Sequence, residues 1–134
     1  GFGLGVGCGL ASTVAHDSHN LLVVGTDREA MAIAANRVVE LGGGIVLVSH
    51  RGEAVELPLP IGGLMSDRPA EEVAEGAAAV RRGLRACGCS ADNDLMTFSL
   101  LALPVIPQLR LTDRGLVDVD AFEIVPLFVD DDNR

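Results

Sequence analysis

The sequence predicts an α+β fold, in which a mixed or mostly antiparallel sheet of about five or six strands is covered by about three helices. Two short pairs of apolar segments, 45–57 and 109–119, are each joined by a tight turn, and such hairpins exclude a purely parallel sheet. Three longer segments carry apolar residues at helical spacing instead. With 134 residues, of which 49% are apolar, the chain is long enough to form one domain with a core.

The first ten residues alternate glycine with apolar residues, from Gly1 to Leu10. In a strand, this pattern places every side chain on one face and leaves the other face bare, so that a helix, another backbone or a ligand can approach closely. The spacing does not form G-x-G-x-x-G, which argues against a nucleotide-phosphate loop and favours close packing. After a polar stretch, residues 20–25 form an apolar run that predicts a buried strand.

A helix is predicted over residues 27–41. The run Thr26-Asp27-Arg28-Glu29 has the pattern of a capping box, in which the Thr26 hydroxyl accepts from a helix amide and Glu29 reaches back to the Thr26 amide. Three glycines, 42–44, end the helix. Its apolar stripe is expected to consist of Met31, Ala34, Ala35, Val38 and Leu41.

The middle of the chain predicts a hairpin, a loop and a second helix. Strands 45–48 and 54–57 are joined by the turn 51–53, and Pro58 with Pro60 stops further pairing. Residues 62–67 form a loop that leads into a helix at about 69–86. The inner stripe of that helix is expected to contain Val73, Ala77, Val80 and Leu84, and packing must hold it because Gly76 and Gly83 weaken it.

A third helix is predicted at about 93–103, with Asp92 or Asn93 as its cap and Pro104 at its end, and its apolar residues are expected to be buried. A second hairpin, 109–119, and a final strand, 124–129, follow. We therefore assign residues 1–129 to one domain and residues 130–134 to a frayed acidic tail.

Composition excludes several classes of function. The net charge of −9 argues against binding to nucleic acid or to an anionic membrane surface, and no apolar run reaches the ~20 residues that span a bilayer. No signal peptide is evident. The three cysteines form neither a disulfide framework nor a four-ligand zinc site, so buried, reduced thiols and a cytoplasmic location are expected.

Residues 15–20, Ala-His-Asp-Ser-His-Asn, are the most chemically capable stretch of the chain. Imidazole and carboxylate groups are good metal ligands. However, His16 and His19 would share a face only in a helix, whereas the segment leads into a strand. The remaining histidine, His50, lies at the end of another predicted strand, so a complete metal centre on this chain is not expected.

Two other interpretations of this stretch remain. Ser18 could be a nucleophile that a histidine activates and Asp17 orients, but no G-x-S-x-G elbow surrounds it. The residues alone favour a rigid polar loop, in which Asp17 and Asn20 bond backbone amides. The histidines are then either satisfied inside the domain or presented to a partner surface.

The loop 62–67 also has two interpretations. The simpler one is that Met65, Ser66 and Asp67 only begin the second helix. Alternatively, a Gly-Gly loop before a helix offers backbone amides to an anion or to the polar edge of a ligand.

Segments spread over nearly the whole chain resemble, in the same order, the C-terminal domain of bacterial and archaeal adenine deaminases. The most specific are the run 11–20 and the run Leu-Ala-Leu-Pro-Val-Ile-Pro at 101–107. One departure is Asp94-Leu95, where relatives tend to carry Pro-Phe, and it affects only the start of the third helix. The segments that carry the resemblance are 11–20, 23–26, 42–44, 57–60, 63–67, 96–99, 101–107, 111–113 and 115–116.

The resemblance implies an enzyme of the amidohydrolase superfamily that converts adenine and water to hypoxanthine and ammonia. In that family a dinuclear centre of divalent metals, manganese or iron, activates a hydroxide that attacks C6 of the purine. The metal ligands lie on an N-terminal barrel, so no cofactor is expected on this chain. The implied partners are that barrel and adenine, with neither nucleic acid nor membrane.

We therefore expect the segment 12–20 to form part of the wall or lid of the barrel's active-site mouth, and the isolated chain to be inactive. The alternatives are a free-standing purine- or protein-binding regulatory module and a small hydrolase that would need its own metal. The absence of an initial Met favours a fragment, and a truncated first strand could leave an edge that favours a homo-oligomer. The catalytic candidates are His16, Asp17 and His19, and the substrate-proximal candidates are Ser12, Ser18, Asn20, Met65, Ser66 and Asp67.

Overall fold

A computed structural model of the chain describes residues 3–16, 19–91 and 94–128, and it confirms the α+β class. The helices are α1, Arg28–Glu40; α2, Ala70–Ala86; and α3, Asp94–Ser99, which continues as a 3-10 turn at Leu100–Ala102. The strands are β1, Gly9–Ser12; β2, Leu22–Gly25; β3, Gly44–Val48; β4, Ala54–Pro58; β5, Leu109–Thr112; β6, Gly115–Asp118; and β7, Glu123–Val125.

The strands of the described residues form two antiparallel sheets, whereas a single sheet was predicted. One sheet has the order β2-β1-β3-β4 and the other has the order β5-β6-β7. Both predicted hairpins are confirmed, as β3–β4 and β5–β6. The first sheet ends at β4, where Pro58 has no N–H to offer a further strand.

Helix α1 covers one face of the first sheet at very short range. An added Cβ on Gly9 of β1 would lie 2.5 Å from the Ala30 carbonyl carbon and from the Met31 nitrogen. The prediction that the bare glycine face serves close packing is therefore confirmed at Gly9. The buried residues on this face are Ala11, Ala30, Ala34, Val38, Val46 and Val48.

Helices α2 and α3 cover the other face. The sheet contributes Leu10, Ile45, Leu47 and Leu57 to a core that includes side chains from both helices. The helical glycines fit this packing, because an added Cβ would lie 2.9 Å from Leu57 at Gly76 and 2.7 Å from Leu47 at Gly83. The helices contribute Val80 and Leu84 from α2 and Phe98 from α3.

Several local predictions need correction. The strand predicted over residues 1–10 begins only at Gly9, since Gly3 and Gly7 have φ values of 73° and 84° that break an extended chain; residues 1 and 2 lie outside the described residues. The α1 cap is Asp27, which accepts from the Ala30 amide at 3.1 Å. The predicted cap, Thr26, is engaged elsewhere, because its hydroxyl donates to the Gly5 carbonyl at 2.6 Å.

The last third of the chain is less regular than predicted. The third helix ends at Ser99 and tightens into a 3-10 turn before Pro104, and its Met96 is 46% exposed, so the helix is not buried on all sides. Strand β7 ends at Val125 because Pro126 cannot donate a strand hydrogen bond. The predicted caps Asp92 and Asn93 and the tail 130–134 lie outside the described residues.

Candidate functional site

The segment 12–20 begins with a serine that is used inside the domain. Ser12 ends β1 and is 1% exposed. Its hydroxyl accepts from the Val14 amide at 3.0 Å and donates to the Val14 carbonyl at 3.2 Å. These bonds form a small turn that ends the strand, so the Ser12 hydroxyl shapes the backbone of the segment.

The neighbouring Thr13 joins three separate parts of the chain. Its hydroxyl donates to the Gly63 carbonyl at 2.7 Å and accepts from the Gly44 amide at 2.8 Å. The Gly44 carbonyl accepts from the Thr13 amide at 3.0 Å. Behind this junction the backbones nearly touch, since an added Cβ on Gly43 would lie 2.5 Å from the Gly63 Cα. Thr13 therefore fixes the start of the segment to the loop 62–67.

The following residues turn outward. Ala15 is buried, whereas His16, His19 and Asn20 are exposed. The His16 amide donates to the Ser99 carbonyl at 3.2 Å, and the His19 amide donates to the Ala15 carbonyl at 2.9 Å. The exposure of the two histidines is what the interpretation of presentation to a partner requires. Among the described residues, no backbone amide donates to the Asn20 side chain, so the bonds that were expected to make this loop rigid are not seen there.

The backbone of His19 is in the left-handed region, with φ at +51°. This conformation is uncommon for residues other than glycine, and functional sites are among the places where it is retained. The candidates Asp17 and Ser18 lie outside the described residues.

In the loop 62–67, Ser66 forms a side-chain hydrogen bond, whereas Met65 and Asp67 are exposed. The Ile61 amide donates to the Met65 carbonyl at 3.0 Å, and Met65 is 60% exposed. The Ser66 hydroxyl accepts from the Arg68 amide at 3.2 Å, just before α2 begins. This bond forms a turn ahead of the helix. The N-cap of α2 is Pro69, which makes no side-chain capping bond, so the prediction that Ser66 or Asp67 caps the helix is wrong. This loop contacts the segment 12–20 at Gly63, whose carbonyl accepts from the Thr13 hydroxyl.

A cleft of about 470 Å³ lies beside the histidine-bearing turn. Its walls come from residues 15 and 20–23, from Ala102 and Pro104, and from residues 111–113. These are three of the segments on which the family resemblance depends, and the fold brings them together across about a hundred positions of sequence. The volume is in the range of small-ligand and peptide-anchor sites.

The described residues hold no group of three His, Cys, Asp or Glu side chains that could bind a metal ion. The three cysteines are free and buried, as predicted. Burial, together with a hydrogen bond to Cys8, raises the pKa of the Cys87 thiol to about 12, so this thiol is protonated and unreactive near neutral pH. Within the described residues, no helix has the length and apolar character needed to cross a membrane.

Sequence comparisons match nearly the whole chain to known proteins. The family model described as the adenine deaminase C-terminal domain matches residues 1–123. The chain is 53% identical over 129 residues to an adenine deaminase of Paracoccus denitrificans, which covers 96% of this chain and 22% of that protein. It is 56% identical to an adenine deaminase of Roseobacter denitrificans and 54% identical to one of Moorella thermoacetica, each over 95% of this chain and 21% of the relative. The chain thus spans about a fifth of the length of these curated relatives.

Proposed function

We propose, because this chain belongs to the family of adenine deaminase C-terminal domains, that it works as one domain of an enzyme that hydrolyses adenine to hypoxanthine and ammonia. The activity is assigned to the whole protein, since this chain corresponds to about a fifth of the relatives. The isolated chain is expected to be inactive. A cytoplasmic location is supported by three buried, unpaired cysteines.

The divalent metals that the resemblance implies, manganese or iron, do not fit the described part of this chain. No described cluster of His, Cys, Asp or Glu side chains could hold an ion. We therefore assign the metal site to the barrel that precedes this domain, and we route no chemical step through these residues.

The role that we assign to this domain is to form part of the active-site mouth with the segment 12–20. One observation carries the assignment: the segment is fixed at Thr13 by bonds to Gly44 and Gly63, yet it exposes both of its imidazoles. Imidazole can donate to or accept from purine nitrogens, and it exchanges protons near neutral pH. An exposed histidine pair that follows an anchored backbone is suited to orienting a purine or moving a proton.

The test is the single substitution of His16, Asp17 and His19 by Ala in the full-length enzyme, with His50→Ala as a matched control. His50 is also an exposed histidine, but it lies beyond β3. We expect kcat/KM for adenine to fall at least about 10-fold for one or more of the three variants, and by about 100-fold or more if the residue is the general acid or base. It should stay unchanged for His50→Ala. Unchanged kcat/KM in all three, with stability intact, would reduce the segment to a scaffold.

A free-standing purine-binding module is the second candidate, and the cleft beside the histidines is the observation that favours it. The cleft combines apolar walls with the polar side chains of Asn20, Thr112 and Asp113. Calorimetric titration of adenine into the 134-residue chain separates the two candidates. Saturable binding would favour the module, and the absence of heat would favour the domain of a larger enzyme.

A further inference from the structure

The two outer strands of the first sheet, β2 and β4, offer different edges. Two hydrogen bonds show which residues of β1 face each neighbouring strand. The Thr26 amide donates to the Cys8 carbonyl on the β2 side, and the Thr13 amide donates to the Gly44 carbonyl on the β3 side. Because hydrogen bonds alternate along an antiparallel pair, Leu22 and Val24 direct their backbone groups toward β1. Val23 and Gly25 therefore direct their N–H and C=O groups outward, away from the sheet.

The β4 edge is protected. The Ser49 amide donates to the Glu53 carbonyl and the Leu59 amide to the Gly43 carbonyl, so Ala54, Glu56 and Pro58 are the residues of β4 whose backbone faces outward. Pro58 has no N–H, and Glu56 brings a charge to this edge. Prolines and charges are the usual means by which proteins prevent strand addition.

The charge on the β4 edge is also held in place. The Arg37 Nε donates to Glu56 Oε1 at 2.6 Å and Arg37 Nη2 donates to Oε2 at 3.1 Å. The hydrogen bonds to Glu56 and Glu40 raise the pKa of Arg37 further above its ordinary value. In contrast, the β2 sequence Leu-Val-Val-Gly contains neither a charge nor a proline.

The unprotected edge of β2 borders the cleft, and β5 reaches the same space through Leu111. The Val119 amide donates to the Gln108 carbonyl, so the backbone groups of Leu109 and Leu111 in β5 point away from β6. The outward Leu109 carbonyl of β5 is already occupied, because it accepts from Arg110 Nη1 at 2.7 Å. Leu111 lines the cleft together with Leu21 and Val23. Leu21 and Leu111 are 43% and 56% exposed. The cleft thus combines the unprotected edge of β2 with apolar anchoring side chains.

We propose that an extended segment of the polypeptide that precedes this domain in the full-length enzyme lies in this cleft as an added strand on the β2 edge. The inference rests on the proposed function, because the added strand would come from a part of the full-length enzyme outside this chain. The chain matches only about a fifth of each relative, so about four-fifths of the enzyme could supply it. Backbone bonds to Val23 and Gly25 would give affinity, and the apolar walls would select side chains.

An added strand from the preceding part of the enzyme would also account for why the unprotected edge of β2 lies next to the histidines. Strand β2 begins two residues after Asn20, so a strand added to β2 would hold the histidine-bearing turn directly against the preceding part of the enzyme. A second copy of the chain would use the same edge, but it would not tie the histidines to the barrel.

The test is residue-resolved hydrogen–deuterium exchange on the full-length enzyme, which needs no substitution. The outward amides of Val23 and Gly25 are compared with the outward amides of Ala54 and Glu56 in the same molecule. We expect Val23 and Gly25 to exchange at least about 100-fold more slowly after correction for intrinsic rates. Equal exchange rates at the two edges would overturn the proposal. Protection of Val23 and Gly25 that appears only at high protein concentration would also overturn it, because a second copy of the chain would then be the occupant.

A matched pair of proline variants of the full-length enzyme gives an independent measurement. Val23→Pro removes an N–H that faces the cleft, whereas Ala54→Pro removes one from the protected edge. We expect only Val23→Pro to speed proteolytic cleavage between this domain and the preceding chain. The two proposals can fail separately. If the Val23 amide exchanges rapidly but His16→Ala or His19→Ala inactivates the enzyme, this inference is overturned and the proposed function stands.

Discussion

The segment 12–20 contains two halves that treat their polar groups in opposite ways. In the first half, the hydroxyls of Ser12 and Thr13 are engaged by backbone groups of the same domain. In the second half, the side chains of His16, His19 and Asn20 are exposed. Polar residues that are adjacent in one run therefore have different surroundings: the hydroxyls of the first half bond the backbone, and the described side chains of the second half are exposed.

The anchoring half depends on very close backbone contacts. Gly43 lies against Gly63 at a distance that excludes any side chain, and Gly9 lies in the same way against α1. In the other half, the described side chains of His16, His19 and Asn20 are exposed and can be replaced without removing such contacts. We therefore expect substitutions in the first half, or at the glycines it packs against, to lower the free energy of unfolding. We expect substitutions of the exposed histidines to lower the activity of the full-length enzyme instead.

The largest effect on folding is expected for Gly9→Ala. The new Cβ would lie 2.5 Å from the backbone of Ala30 and Met31, so α1 must move off the sheet, at a cost of about 3 kcal/mol. Gly52→Ala is the control: it has open space but a φ of +76°, and should cost only about 1 kcal/mol. Urea unfolding of the 134-residue chain measures both. Equal costs would show that close packing at Gly9 is unimportant.

Thr13→Val should have the next largest effect. It leaves the Gly44 amide and the Gly63 carbonyl without their partner in a half-buried position, which costs about 2 kcal/mol. Thr97→Val, at an exposed position of α3, should change the free energy of unfolding by less than about 0.5 kcal/mol. If Thr13→Val is equally mild in urea unfolding, the anchoring half of the segment is not an anchor.

A smaller effect is expected from pH. Because the folded pKa of Cys87 is raised from 9.0 to about 12, its protonated thiol stabilises the fold fully below pH 9, and this contribution is lost as the pH rises toward 12. The free energy of unfolding should fall over this interval, and should fall less in Cys87→Ala. The chain has neither tyrosine nor lysine, and the two other thiols, Cys8 and Cys89, are present in both proteins. A parallel decline in both proteins would contradict the assignment to Cys87.

The sequence predicted the parts of the fold that depend on neighbouring residues. Periodicity identified α1 and α2 to within about two residues, and turn residues identified both hairpins. The Thr26 cap was wrong because the Gly5 carbonyl and the Cys8 amide, both distant in sequence, compete for that hydroxyl. The sequence around Thr26 does not show that these two distant groups bond its hydroxyl.

The candidate site was predicted only in part, for the same reason. The polar run and the loop 62–67 were both recognised, but the residue that joins them was not. Thr13 acquires its role from Gly44 and Gly63, which lie 31 and 50 positions away. The cleft likewise needs residues 111–113 to reach the strand that follows the polar run. Such contacts follow from tertiary packing and not from spacing.

The most direct test of the central claim is His19→Gly in the full-length enzyme, measured for both thermal stability and kcat/KM. Glycine accepts a φ of +51° without strain, so the substitution should leave the melting temperature unchanged or raise it. If His19 serves the active site, kcat/KM for adenine should fall at least about 10-fold. A lower melting temperature with unchanged kcat/KM would contradict the account, because it would place His19 among the residues that hold the fold.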